Sequence, residues 1–143
     1  MSEPVLVGLL FADRVITENN GKKGIIGTFN RFFAPKFPII FPPWSIYAAV
    51  TNLIGKHSFS LRLVHCDNEK VVIPIEGQMD VKSQTDVLEL TFNVVGATFP
   101  VAGDYVLSFS VDNELLASRV LLVTQAEPSG PSESQTNQGN PKN

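Results

Sequence analysis

The chain has 143 residues, 43% of them apolar and 17% charged, with a net charge of −3. A globular part of about 120 residues buries roughly two thirds of its unfolded surface, so one domain with its own core fits this length and a mainly disordered chain does not. No cluster of Lys and Arg is present to displace counterions from nucleic acid or to meet an anionic membrane, and the single cysteine, Cys66, excludes an intramolecular disulfide and a cysteine-rich zinc site and points to a reducing, cytoplasmic compartment.

The first apolar run, Val5 to Ala12, follows Glu3 rather than a basic residue and ends at Asp13-Arg14. It is too short for a membrane span of about 20 residues and reads as the start of a strand over Val5 to Glu18, buried on both faces for part of its length. Asn19-Asn20-Gly21-Lys22 is a hairpin turn, because Asn-Gly between apolar runs supplies the positive φ that a tight reversal needs, and Gly24 to Phe33 is expected to pair back antiparallel. Ala34 to Pro43 then holds Pro35, Pro38, Pro42 and Pro43. Each withholds a ladder N–H, so this stretch reads as a connection crossing from one sheet to the other.

Trp44 to Asn52 resumes as a strand, Gly55-Lys56 turns the chain, and His57 to Cys66 alternates, with Phe59, Leu61 and Leu63 inward. Val71 to Gln78 follows, with Pro74 marking an edge strand or a bulge. Val81 to Asp86 is a polar loop. Val87 to Val95 sets Leu88, Leu90, Phe92 and Val94 against Glu89, Thr91 and Asn93. Pro100 and Gly103 bracket a corner that delivers the chain into a strand with Tyr105, Leu107, Phe109 and Val111 on one face; Asp112-Asn113 reverses it and Leu115 to Val123 returns.

No segment repeats at a helical period, so any helix is a turn or two near Asn52 or Ser83. The pattern specifies an all-β fold: a two-sheet antiparallel, Ig-like, Greek-key β-sandwich of about eight strands over residues 1–125. Residues 126–143, with no aliphatic or aromatic side chain beyond Ala126, read as a disordered polar tail, since ordering costs roughly 1 to 2 kcal/mol of backbone entropy per residue and nothing there offsets it.

Chemistry is sparse. His57 and His65 fall eight residues apart on one strand, roughly 26 Å, too far to share an ion; His65 and the adjacent Cys66 point to opposite faces. The carboxylates are scattered through turns and strand ends, and there is no G-x-S-x-G elbow, phosphate loop or dinucleotide fingerprint. The expectation is therefore no catalytic residue, no metal, no cofactor and no enzyme. What folding explains least is FFAPKFPIIFPPW, Phe32 to Trp44, where large rings sit among prolines. It serves either as a lid over one end of the sandwich or as an exposed surface for a protein partner or a second copy, with Phe37, Phe41 and Trp44 as the binding candidates. The first functional reading is a non-catalytic interaction or structural module, self-associating or binding a protein, with no nucleic acid and no membrane as partner. The alternative is a sandwich that binds a small molecule or carbohydrate, stacking it on those three rings.

Three segments carry a resemblance: Leu9-Leu10-Phe11 with Asp13 and Val15-Ile16; Ile25-Ile26-Gly27 with Phe29; and Phe99-Pro100, Gly103 and Tyr105. They resemble an uncharacterised bacterial family of small β-sandwich proteins, a domain of unknown function, over about Val5 to Val123. Two positions depart from its pattern: Phe109 stands at a leucine and Ala12 at a cysteine. The resemblance implies the fold and a bacterial source, and it brings no activity.

Overall fold

The computed structural model describes residues 3–126. The tail expected over 126–143 lies outside the described residues except for Ala126, whose N–H donates to the Ala34 carbonyl at 2.9 Å. Eight long strands and three short ones form a β-sandwich. No helix occurs among the described residues, and none is therefore long and apolar enough to cross a membrane.

β1 (Val5–Thr17) turns through the Asn-Gly reversal into β2 (Lys23–Phe29), antiparallel in register from Phe11↔Phe29 to Thr17↔Lys23. The expected strand from Gly24 to Phe33 is broken, however. At Asn30 the chain leaves this sheet, and β3 (Arg31–Ala34) pairs parallel with β11 (Glu114–Gln125) in the other sheet. The reason lies in the pleat. Phe29 and Phe32 both pack on the core although they stand three positions apart, an odd offset that in a continuous strand would turn them to opposite faces.

The proline-rich segment carries the chain back across, as expected, but it contains β4 (Ile39–Ile40), which pairs with β9 (Thr98–Phe99) as a two-stranded patch. β5 (Trp44–Thr51) then enters the first sheet, β6 (Gly55–His65) and β7 (Val71–Val81) the second, β8 (Leu88–Val94) the first, and β10 (Gly103–Val111) the second. The orders are β2-β1-β5-β8 and β3-β11-β10-β6-β7. β7 is an edge strand, one of the two meanings of Pro74; Pro74 itself pairs in register with Arg62, and the strand's bulge lies at Val72, where the register passes from Leu63↔Ile73 to Val64↔Val71. Val81, read as loop, ends β7 with its side chain buried.

Between the sheets lie Phe11, Ile46, Val50, Leu61, Leu63, Leu107, Phe109 and Leu121. Both faces of β1 are buried for part of its length, at Phe11 and Ala12, but its beginning is not part of this layer: Val5, Leu6 and Val7 are exposed. β2 pairs only from Phe11 onward, so the first half of β1 has β5 on one side and no strand on the other; a bulge between Leu6 and Gly8 bends it, and the Arg119 guanidinium caps the Leu9 carbonyl at 3.1 Å. Near Asn52 and Ser83 there are turns instead of helix. Asn52, at φ 70°, donates its N–H to the Gln84 carbonyl (3.2 Å) and accepts from the Gln84 side chain (2.8 Å).

Two corners fix the register. Asp112 and Asn113 both adopt positive φ, 52° and 69°, the conformation of a tight hairpin turn whose twist matches the strands. At the entry to β10, the Tyr105 hydroxyl donates to the Val101 carbonyl at 2.6 Å, while its fully buried ring meets Phe99 and His65 edge-on at 5.0 and 4.9 Å. Gly103, at φ 141°, lies so close to His65 Nε2 that a Cβ there would collide with it. The F-P-x-x-G-x-Y pattern is thus a corner lock of the kind that sandwiches use between sheets. Tyr105→Phe is expected to keep the fold and lower unfolding stability by about 1 kcal/mol, read from the urea midpoint at unchanged slope.

Candidate interaction surface

Phe41 and Trp44 are buried, and Phe37 is half-buried and packed on the core. Phe32 stacks on Phe41 with centroids 4.0 Å apart and planes 17° apart; Trp44 stands edge-on to Phe32 at 5.4 Å, and Phe99 closes the group at 5.4 Å from Phe41. These rings are the lid over one end of the sandwich. Phe41 and Trp44 spend their faces on Phe32 and Phe99 and offer a sugar no free platform, whereas Phe33 beside them is exposed, with the Arg31 guanidinium 5.8 Å from its ring centre.

The titratable groups that sequence left scattered are gathered at turns. His57 Nδ1 lies 2.6 Å from Asp112 Oδ2, and its Nε2 lies 2.9 Å from the Ile54 carbonyl. Both neighbours are acceptors, so the doubly protonated ring satisfies both; the Asp112 hydrogen bond, then the Ile54 carbonyl, raise the His57 pKa. The same His57 bond, followed by the Ser58 N–H at 2.9 Å, lowers that of Asp112. This pair clips the β5–β6 loop to the β10–β11 turn and leaves the imidazole no free nitrogen for base catalysis. It borders an open cleft of about 620 Å³ with apolar walls from Pro4, Leu53, Ile54 and Leu115 and acidic Glu3 and Glu114 at the mouth.

At the other end of β6, side-chain ligand atoms of His65, Cys66 and Asp67 lie within 4.8 Å of one another. His65 is already committed: Nδ1 accepts from the Asp67 N–H (3.1 Å), and Nε2 donates to the Ala102 carbonyl (3.1 Å). Desolvation and the neighbouring Asp67 carboxylate push the Cys66 thiol up, away from the thiolate that metal binding or nucleophilic attack needs. This end is a turn knot behind Tyr105.

The remaining feature is the edges. β2 carries Lys23, whose ammonium donates back to the Thr17 hydroxyl on β1 at 2.8 Å, and its regular pleat is interrupted at Gly27, whose φ of 73° accommodates the Asp13 side chain across the strand. β3 is four residues long and runs into Pro35. β7 carries Pro74, Glu76 and Asp80. Such short lengths, prolines and charges are how sheets avoid pairing with other chains. β8 is regular and has no proline. It pairs with β5 without a bulge from Trp44↔Val94 to Val50↔Leu88, has no strand on its other side, and is flanked by Val87 and Val95, 50% and 69% exposed. Its one charge, Glu89, is drawn back over β5 by the Tyr47 hydroxyl at 2.5 Å; desolvation and that carboxylate push the Tyr47 pKa up to about 12. The period of two placed β8 as a strand, but only the sheet order shows that its outer side is open.

A model of the "Family of unknown function (DUF6941)" matches residues 8–124. No curated protein matches the sequence. Among solved structures, the chain is similar to a β-glucosidase from Listeria innocua in complex with isofagomine, at 8% identity and a TM-score of 0.48 over 88% of this chain. It spans 17% of that enzyme. It is also similar to the CARDB domain of the PF1109 protein from Pyrococcus furiosus in complex with di-metal ions, at 13% identity and a TM-score of 0.43, covering 83% of this chain and 94% of that domain.

Two outcomes test these assignments. Phe41→Ala is expected to cost about 3 to 5 kcal/mol of stability by chemical denaturation, as for a ring removed from a packed core. The His57–Asp112 clip gives a signed pH dependence. A raised His57 contributes stability in full below its ordinary 6.5 and loses it as pH climbs through the folded value; a lowered Asp112 contributes above its ordinary 3.8 and loses it as pH falls through its own. Asp112→Asn keeps a residue that tolerates positive φ, and its melting temperature is expected to decline less than that of the wild type from about pH 6 to about pH 9.

Proposed function

The chain belongs to the DUF6941 family of unknown function over residues 8–124, and from that premise we propose that it is a non-catalytic interaction module that presents the outer side of β8 to another polypeptide. The observation that carries this reading is the contrast among the four edges of the two large sheets: β3 is short and runs into Pro35, β7 carries Pro74 and two carboxylates, β2 is interrupted at Gly27, and β8 is regular, with its one carboxylate, Glu89, bonded to Tyr47 and exposed valines at both ends. Main-chain N–H and C=O groups on an open edge recognise an extended strand, and alternate side chains select it. The arrangement is read as Ig-like, supported by the short first-edge strand β3 running parallel to the last strand β11 and by the tyrosine corner before β10. The lone exposed Cys66 supports a reducing, cytoplasmic setting.

The histidines and the cysteine act within this reading as turn fasteners, with no part in turnover. A photo-crosslinking residue placed at Asn93, on the outer face of β8, is expected to give a polypeptide adduct in the native host that Thr91→Lys abolishes. The same residue at Glu76 on β7 is expected to give none. Equal labelling from both strands, or no adduct from Asn93, overturns the reading.

A further inference from the structure

The residues around β8 read Val87-Leu88-Glu89-Leu90-Thr91-Phe92-Asn93-Val94-Val95, and their polarity is a palindrome about Thr91: apolar pairs at both ends, then polar, apolar, polar, apolar, polar across the middle. Resting on the reading of β8 as the contact edge, we propose that its partner is a second copy of the chain, paired β8 to β8 antiparallel about a two-fold axis through Thr91 and normal to the sheet.

Three observations support the self-pairing. First, in that register every residue meets one of its own kind. Leu90 faces Phe92 of the other copy and Leu88 faces its Val94 on the core side. Thr91 faces Thr91, and Glu89 faces Asn93, on the outer side. Cross-strand aromatic–aliphatic and Thr–Thr pairs stabilise, and like charges directly opposite destabilise; none are opposed here. Second, parity forbids the neighbouring half-register. An axis between Leu90 and Thr91 would set core-facing residues opposite outward ones, while the Thr91 axis keeps both faces of the sheet continuous. Third, Leu88, Leu90 and Phe92 pack on the core yet are only half-buried, because nothing stands beside them at the rim. Pairing would cover those flanks together with Val87 and Val95 and turn the sheet β2-β1-β5-β8 into one of eight strands. A contact of this symmetry is self-closing: it makes a dimer and uses up both edges, which an open edge otherwise offers to aggregation. Pro74 keeps β7 out of the pairing, so only one sheet becomes continuous.

The test uses the axis itself. The wild type is expected to run as a dimer by light scattering, dissociating on dilution. Thr91→Lys and Thr91→Glu each set like charges against each other at the axis, and each is expected to weaken dimerisation about tenfold or more with the melting temperature of the dilute protein unchanged. Mixing the two is expected to restore the dimer, because the axis then pairs Lys with Glu. In a Cys66→Ser background, Thr91→Cys is expected to form a disulfide-linked dimer on oxidation. Asn93→Cys is not, since it stands about 13 Å from its own copy along the strand. A wild type monomeric at its highest soluble concentration, a Lys–Glu mixture that stays monomeric, or equal crosslinking of both cysteines overturns the second copy as partner. The edge reading survives that failure if the Asn93 adduct holds a different chain, and falls with it if there is no adduct.

Discussion

The fold depends on how the chain passes from one sheet to the other without losing register, and the Tyr105 hydroxyl bonded to the Val101 carbonyl is where this is decided. β10, which that corner feeds, is hydrogen-bonded on both sides, to β6 and to β11, and contributes Tyr105, Leu107, Phe109 and Val111 to the core. A slip of one residue at the corner would turn all four outward. The buried ring, the glycine that lets His65 approach, and the histidine's two bonds to backbone are one device seen from three residues.

The same economy runs through the polar residues. His57 and Asp112 hold one end of the sandwich, Asn52 and Gln84 tie two neighbouring loops, and His65 anchors the turn behind Tyr105. Groups that could carry chemistry elsewhere here satisfy backbone acceptors or donors. Most of the aromatic segment follows suit: Phe32, Phe41 and Trp44 pack on one another where β3 hands the chain across to β5, and Phe33 stays exposed.

What faces outward without a structural duty is the rim of β8. A regular edge strand without proline has unmet hydrogen-bonding capacity, and β3 and β7, with Pro35 and Pro74, show what guarding looks like in this very molecule. β2 extends the same sheet at the edge opposite β8 and leaves that rim uncovered.

The sequence by itself determined the eight long strands, with β2 overrun past Asn30, both tight hairpin turns and the corner at Gly103 and Tyr105, because period-two patterning, Asn-Gly and Asp-Asn pairs and positive φ are local matters; Pro74 marked β7 as an edge or a bulge. Tertiary structure alone decided which sheet each strand joins. The break at Asn30 is legible only once Phe29 and Phe32 are known to share one core, and the exposure of Val5 to Val7 follows from how short β2 is. The His57–Asp112 pair, 55 positions apart, exists only through the β6–β10 register. The aromatic segment is legible in sequence as a lid first and a surface second, since composition gives ring area and not which side of it meets water. The openness of β8 was likewise invisible: a strand's pattern records the face it buries, while the neighbour it lacks is a property of the sheet.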